Sequence, residues 1–207
     1  MTSSESTSRD SIAGIVLAAG AAERMGEAKQ LMPYRGAPLL QHVVDAAVAS
    51  QLDEVVVVIG AFGDKIEAAL SLERVTTVRN PDFRRGNMSS LECGAAQVPE
   101  AEAIVLLMGD HPDLSVSVID QMISLWRDDR PWGAVTAYRD RVAHPFLLSH
   151  SALDEAVAIG GPKLLWRLLT GDDTGRVAHL RVDAPAPNDI NTPADYRRLT
   201  DEGSSPR

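Results

Sequence analysis

The chain has 207 residues, 44% hydrophobic and 24% charged, with a formal net charge of −9. That length and balance fit one globular domain with a sizeable core. The acidic charge excludes a general nucleic-acid binder, which needs a basic face, but not a small anionic ligand held by a local cationic cluster.

Met1–Ser11 is polar and Ser/Thr-rich with no apolar core, so it reads as a disordered tail and not as a secretory signal. Residues 12–199 read as the folded domain and 200–207 as a flexible tail. No apolar run is long enough to span a membrane. The single Cys93 excludes an intramolecular disulfide and fits a reducing cytoplasm.

Ile12–Leu17 is an apolar run that reads as a buried strand, stopped by Ala18-Ala19-Gly20. Arg24, Gly26 and Lys29 follow within ten residues. Small residues let backbone approach a ligand, successive N–H groups in a turn form an anion nest, and the cations add fixed charge. The pattern is either a plain strand–helix turn with surface cations or a site for a nucleoside triphosphate. The spacing matches neither G-x-x-x-x-G-K-[ST] nor G-x-G-x-x-G, which removes support for a P-loop ATPase and for a dinucleotide dehydrogenase.

Farther on, Pro38–Ser50 has a helical apolar stripe, and Glu54–Ile59 reads as a buried parallel strand. A helix from Asp64 to about Leu72 and a short strand over Val75–Val78 come next. Asn80-Pro81-Asp82 is a turn, and Ser89 or Ser90 opens a helix through Ala96. Ala103–Met108 is another buried strand, ended by Gly109-Asp110-His111-Pro112. A helix over Ser115–Arg127, strands at Ala134–Tyr138 and Phe146–Leu148, and helices at Ser151–Ile159 and Leu164–Leu169 follow. Val177–Val182 alternates as a strand, and Thr192 caps a last helix, Pro193–Leu199. The alternation predicts an α/β fold: one Rossmann-like three-layer domain, a mostly parallel sheet with helices on both faces. Ligands of such folds sit beyond the carboxyl ends of the strands, near a topological switch point.

Asp110 follows an apolar strand, so its carboxylate either caps local turn N–H groups or faces that crevice, where magnesium takes one or two carboxylates plus phosphate oxygens. Asp189 and Asn191, two apart in an extended segment, face the same way if the segment borders the crevice. Gly86, Ser89 and Ser90 sit before a helix and either cap it or bond a nucleobase or phosphate. His144 precedes Pro145 and has no metal-ligand spacing to another His. Lys163, after Gly160-Gly161-Pro162, is either a helix-start residue or a second phosphate contact.

Together, Leu17-Ala18-Ala19-Gly20-x-x-x-Arg24-Met25-Gly26-x-x-Lys29 resembles the signature of MobA-like nucleotidyltransferases, nearest to the molybdenum cofactor cytidylyltransferases. Leu31-x-Pro33, Asn80-Pro81, Gly86-x-Met88-x-Ser90-Leu91, Gly109-Asp110-His111-Pro112, His144-Pro145 and Asp189-Ile190-Asn191-Thr192-Pro193 match in family order. The resemblance implies a cytoplasmic, magnesium-dependent transfer of a nucleotidyl group, CMP from CTP, to a phosphate-bearing acceptor of molybdopterin type. A sugar or polyol phosphate is the alternative acceptor, and a non-catalytic cofactor-delivery protein the alternative class. A molybdoenzyme is then the recipient of the product. By the resemblance Arg24 holds the β- and γ-phosphates and Lys29 the α-phosphate. Asp110 holds the metal with Asp189 or Asn191. Leu17, Ala18, Ala19, Gly20, Gly26, Gly86 and Ser90 surround the nucleotide, and His144 lies near the acceptor. Two features depart from the family pattern. Asn191 stands where the family often has a second Asp, and Gly160-Gly161-Pro162-Lys163 occupies the acceptor neighbourhood.

Overall fold

The structure is a computed structural model, and it describes residues 11–21, 27–159, 164–171 and 175–203. Arg24, Gly26 and Lys163 lie outside the described residues. In chain order the strands are β1 (Ile12–Ala18), β2 (Pro33–Tyr34), β3 (Ala37–Pro38), β4 (Glu54–Ile59), β5 (Thr76–Arg79), β6 (Ala103–Met108), β7 (Gly133–Tyr138), β8 (Val142–Ser149) and β9 (Val177–Val182). The helices are α1 (Leu39–Ala49), α2 (Gly63–Ala69), α3 (Asn87–Ala95), α4 (Val116–Asp129), α5 (His150–Ile159), α6 (Leu164–Thr170) and α7 (Pro193–Gly203).

Among the described residues the main sheet has seven strands in the order β5-β4-β1-β6-β8-β7-β9. Every pairing is parallel except the two made by β8. The chain leaves β1 for β4 and β5 on one side and returns to place β6 on the other. β1 and β6 therefore flank a topological switch point, and their carboxyl ends open the crevice that such sheets use for ligands.

Strand side chains alternate between two apolar layers. Val16, Val57, Val105 and Leu107 pack with Leu40 and Val43 of α1 and with Ile119 and Met122 of α4. Ile15, Leu17, Val58, Leu106 and Phe146 pack with Leu91 of α3, Leu153 of α5 and Leu169 of α6. β1 is buried on both faces along its whole length, which is why it reads as a continuous apolar run. The expected three layers are thus present.

Several local features differ from the sequence expectation: α7 runs on to Gly203, into the expected tail at 200–207, and three others lie nearer the site. First, a small β2–β3 hairpin was not foreseen. Its turn, Arg35-Gly36, has both φ values positive, at 44° and 88°, the geometry of a tight hairpin turn with glycine in the more open position. Second, β8 extends from Val142 to Ser149, beyond the expected Phe146–Leu148. Its register against β7 jumps between Val135↔Phe146 and Thr136↔Ala143, so His144-Pro145 forms a bulge. Proline cannot donate to the ladder and is tolerated there. Third, α3 starts at Asn87, and neither serine caps it. Ser89 and Ser90 are buried, and both hydroxyls accept from Asn80 Nδ2 at 3.0 Å.

Candidate functional site

The site begins where β1 ends. Gly109, just past β6, closes against it: a Cβ there would lie 2.9 Å from the Leu17 carbonyl oxygen. Only glycine lets the two strand ends meet this closely. Asp110 then stands at the switch point. A short 3₁₀ turn over Lys29–Leu31 follows the glycine-rich loop. From it Lys29 Nζ reaches Asp110 Oδ2 at 2.6 Å, with both side chains largely buried. The same ammonium donates to Asn191 Oδ1 at 3.1 Å.

Ile190 explains how the Asp189–Asn191 segment arrives here. Its side chain is fully buried with Tyr34, Leu39 and Leu199, so the hairpin, α1 and α7 together grip it. Its N–H donates to the Asp110 carbonyl at 3.3 Å. Asn191 Nδ2 in turn donates to Asp189 Oδ2. Thr192 caps α7 as expected: its hydroxyl accepts from Asp195 N at 3.2 Å, while the Asp195 carboxylate accepts from the N–H of Thr192 at 2.8 Å. The Thr192 hydroxyl also donates to that carboxylate at 2.8 Å, and this bond first, with the backbone N–H bonds, holds the Asp195 carboxyl below its ordinary range.

Lys29, Asp110, Asp189 and Asn191 therefore come together from three distant stretches of chain. Among the described residues no cluster of three or more His, Cys, Asp or Glu forms a metal cage. The donor set nonetheless suits a divalent cation shared with phosphates, because magnesium needs few protein carboxylates. Asp110 Oδ1 is buried and has no hydrogen-bond partner, so it is free to accept a ligand.

Gln30 is a residue that sequence reasoning missed. It is 3% exposed, and its amide nitrogen donates to the Ala18 carbonyl at 3.0 Å and the Gly20 carbonyl at 3.1 Å. It thus fixes the backbone where the glycine-rich loop leaves β1. No residue-type signal marked it, since its partners are carbonyls. Gly20 itself is not needed for packing: a Cβ there would meet nothing within 4 Å.

Beside this corner lies a cleft of about 670 Å³. Arg85, Gly86, Asn87 and Met88 form one side, at the start of α3. Gly86 has φ 97°, a left-handed backbone that favours glycine. Leu17, Leu91, Leu106 and Met108 form the floor, and His144, Phe146, Leu165 and Trp166 the far wall, with Asp189 joining the cleft to the Lys29–Asp110 corner. Of the expected nucleotide contacts, Leu17 and Gly86 line this cleft. Ala18, Ala19 and Gly20 follow Leu17 in the β1 exit but do not line the cleft, and Ala18 and Ala19 are buried. Ser90 is 4% exposed and bonds Asn80 behind the cleft wall.

His144 reaches the cleft because of the β8 bulge. Thr136 Oγ1 donates to the Pro145 carbonyl at 2.7 Å and Tyr138 Oη to the His144 carbonyl at 3.1 Å, which hold the bulge in place. The His144 ring lies 4.0 Å from Phe146 and 6.0 Å from His111. Loss of solvation pushes its imidazole down to about 3, with nearby His111 adding to the effect. His111 is lowered in the same sense by burial, partly offset by Asp110. Both rings are neutral near pH 7, which suits them to hydrogen bonding and not to carrying charge.

Comparison with known proteins places the whole arrangement. The sequence model of the MobA-like NTP transferase domain matches residues 14–179. The chain is 32% identical over 153 residues to the nicotine blue oxidoreductase of Paenarthrobacter nicotinovorans, covering 71% of this chain and 74% of that protein. It is 27% identical over 188 residues to the molybdenum cofactor cytidylyltransferase of Escherichia coli K12, covering 88% and 92%. Among solved structures, Rv0371c of Mycobacterium tuberculosis H37Rv superposes with a TM-score of 0.84 at 32% identity, covering 92% of this chain and 98% of that one. A manganese complex of Rv0371c superposes at 0.81.

Proposed function

The chain belongs to the MobA-like NTP transferase family, and from that premise we propose that it transfers CMP from CTP to a phosphate-bearing acceptor of molybdopterin type. The observation that carries this reading is the pairing of Lys29 with Asp110 at the switch point, with Asn191 and Asp189 alongside.

In the proposed reaction an acceptor phosphate oxygen bonds to the α-phosphorus as the bond to the bridging oxygen breaks, and the electron pair leaves with pyrophosphate. An acceptor phosphate is already ionised at neutral pH, so no side chain has to remove a proton. Catalysis then rests on positioning and on fixed charge. Lys29 meets the charge that grows on the α-phosphate, and Arg24 holds the β- and γ-phosphates. Asp110, with Asp189 or Asn191, would hold magnesium, which when bound neutralises phosphate charge. The β1 exit over Leu17–Gly20, together with Gly26, Gly86 and Ser90, surrounds the nucleotide, and His144 borders the acceptor. The manganese complex of a relative supports a divalent metal. A cytoplasmic enzyme that hands its product to a molybdoenzyme completes the reading.

Pyrophosphate release tests it, measured across CTP, GTP, ATP and UTP with and without a molybdopterin-type acceptor. Release that requires CTP, magnesium and this acceptor is expected, and no release from any pair overturns the reading. The relative named as a nicotine blue oxidoreductase favours a second reading, an oxidoreductase acting on nicotine blue. It predicts that the chain changes the redox state of nicotine blue, read as a change in its visible absorbance.

A further inference from the structure

Trp166 is 45% exposed, while the aromatic beneath it is fully buried. A half-exposed tryptophan on a cleft wall presents one π-face to whatever enters. It sits on a tier of rings: the Trp166 ring packs on Phe146 at 5.5 Å, Phe146 on His144 at 4.0 Å, and His144 on His111 at 6.0 Å. Phe146 is held from below by the layer that contains Leu17 and Leu106. The tier therefore runs from the core out to an aromatic face on the cleft.

The other walls narrow the class of ligand. Met88, Leu91 and Met108 are apolar, and the methionine sulfurs are polarisable partners for a flat ring. A sugar or polyol phosphate would turn part of its hydroxyl surface toward these apolar side chains, which is costly, with Arg85, Asn87, His144 and Asp189 as the polar partners in the lining. A flat aromatic ring loses little there. Asp189, which lines the cleft, accepts from Asn191, and Asn191 accepts from the Lys29 ammonium, so a chain of hydrogen bonds links the cleft to the Lys29–Asp110 corner.

We propose that Trp166, backed by Phe146, selects the acceptor by stacking on the face of a planar, fused-ring nitrogen heterocycle whose phosphate points toward the Lys29–Asp110 corner. The inference rests on the nucleotidyl-transfer reading for which molecule is acceptor, but the stacking itself can be measured without turnover.

The test uses the full chain, with a pterin monophosphate and glycerol 3-phosphate as probes and titration calorimetry as readout. Trp166→Ala should weaken the pterin phosphate about 10- to 100-fold, the range typical of lost aromatic stacking on a base. Trp166→Phe should recover most of that loss. The affinities for CTP and for glycerol 3-phosphate should stay unchanged in both variants. Unchanged pterin phosphate affinity in Trp166→Ala, or no binding by the parent chain, overturns the inference. An equal loss for all three probes also overturns it, since the effect is then structural. A pyrophosphate assay on the same proteins separates the two readings. Trp166-dependent binding without release from any pair defeats nucleotidyl transfer and leaves the stacking site standing. Release that is indifferent to Trp166 and to the acceptor's ring does the reverse.

Discussion

Lys29 Nζ donates to Asp110 Oδ2 at 2.6 Å across 81 residues of sequence, and the same ammonium bonds Asn191 Oδ1. Because the pair is largely buried, each charge is the other's main compensation. Lys29→Ala and Asp110→Ala should each lower turnover about 100- to 1,000-fold, the usual effect of losing one preorganised charged contact. The double variant should be far less impaired than the product of the two, since the residues act as a unit. Pyrophosphate release gives the rates. A simple multiplication of the two losses would mean that the groups work independently.

Gln30 holds the β1 exit by two bonds from one amide nitrogen. Gln30→Ala should cost about 1–3 kcal/mol in denaturant unfolding, because the buried Ala18 carbonyl loses its donor, and the partly exposed Gly20 carbonyl loses the same one. It should also raise KM for the triphosphate, as the loop is no longer fixed. Gln30→Glu should be no better, because a carboxylate cannot donate. A Glu variant with parental stability and KM would show that the amide is not what fixes the loop.

The parts of this fold that were legible from sequence are those with a strong period. Glu54–Ile59, Ala103–Met108 and Val177–Val182 lie where apolar runs or alternation placed them. Asp110, Asp189 and Asn191 were legible because the first follows an apolar strand and the others precede a capped helix. What stayed hidden depends on tertiary contacts. Gln30 bonds carbonyls, which leave no mark on residue type. Ser89 and Ser90 looked like caps, but they lie inside α3, where the Asn80 side chain claims both hydroxyls. His144 fell outside the expected strand, Phe146–Leu148, whereas the bulge keeps it within β8. The Trp166 face was silent because its ring partner, Phe146, comes from another element.

At Gly20 the protein leaves open space around the missing Cβ. Gly20→Ala should therefore leave the thermal midpoint unchanged. If a triphosphate lies against this backbone, the added methyl should raise KM for CTP about tenfold or more, equivalent to ~1.4 kcal/mol of lost binding. Melting curves and initial rates on one preparation decide the matter. An unchanged KM would place the triphosphate away from Gly20.

Acid should weaken the fold through His144. Its folded imidazole sits near 3, against an ordinary 6.5. Between those values the unfolded chain binds a proton that the folded chain does not, so stability rises with pH and is lost as pH falls from about 6.5 towards 3. Buried His111 acts in the same direction. Urea midpoints at pH 7.5 and 4.5 should fall more in the parent than in His144→Gln, which carries no titrating ring. Equal falls would show that His144 takes up its proton in the folded chain as readily as in the unfolded one.

Asn191→Asp addresses the departure from the family pattern. Asn191 now does two things: its oxygen accepts from Lys29 and its nitrogen donates to Asp189. An aspartate keeps the first contact and turns the second into a meeting of two carboxylates. Without metal, the variant should melt lower than the parent, since like charges in contact repel. A divalent cation bridging them removes that repulsion and gains a second charged ligand. Added magnesium should therefore raise the melting temperature of Asn191→Asp more than that of the parent, and half-maximal turnover should need less magnesium. Identical responses to magnesium in the two proteins would mean that residue 191 faces the Lys29 ammonium alone and takes no part in holding a metal.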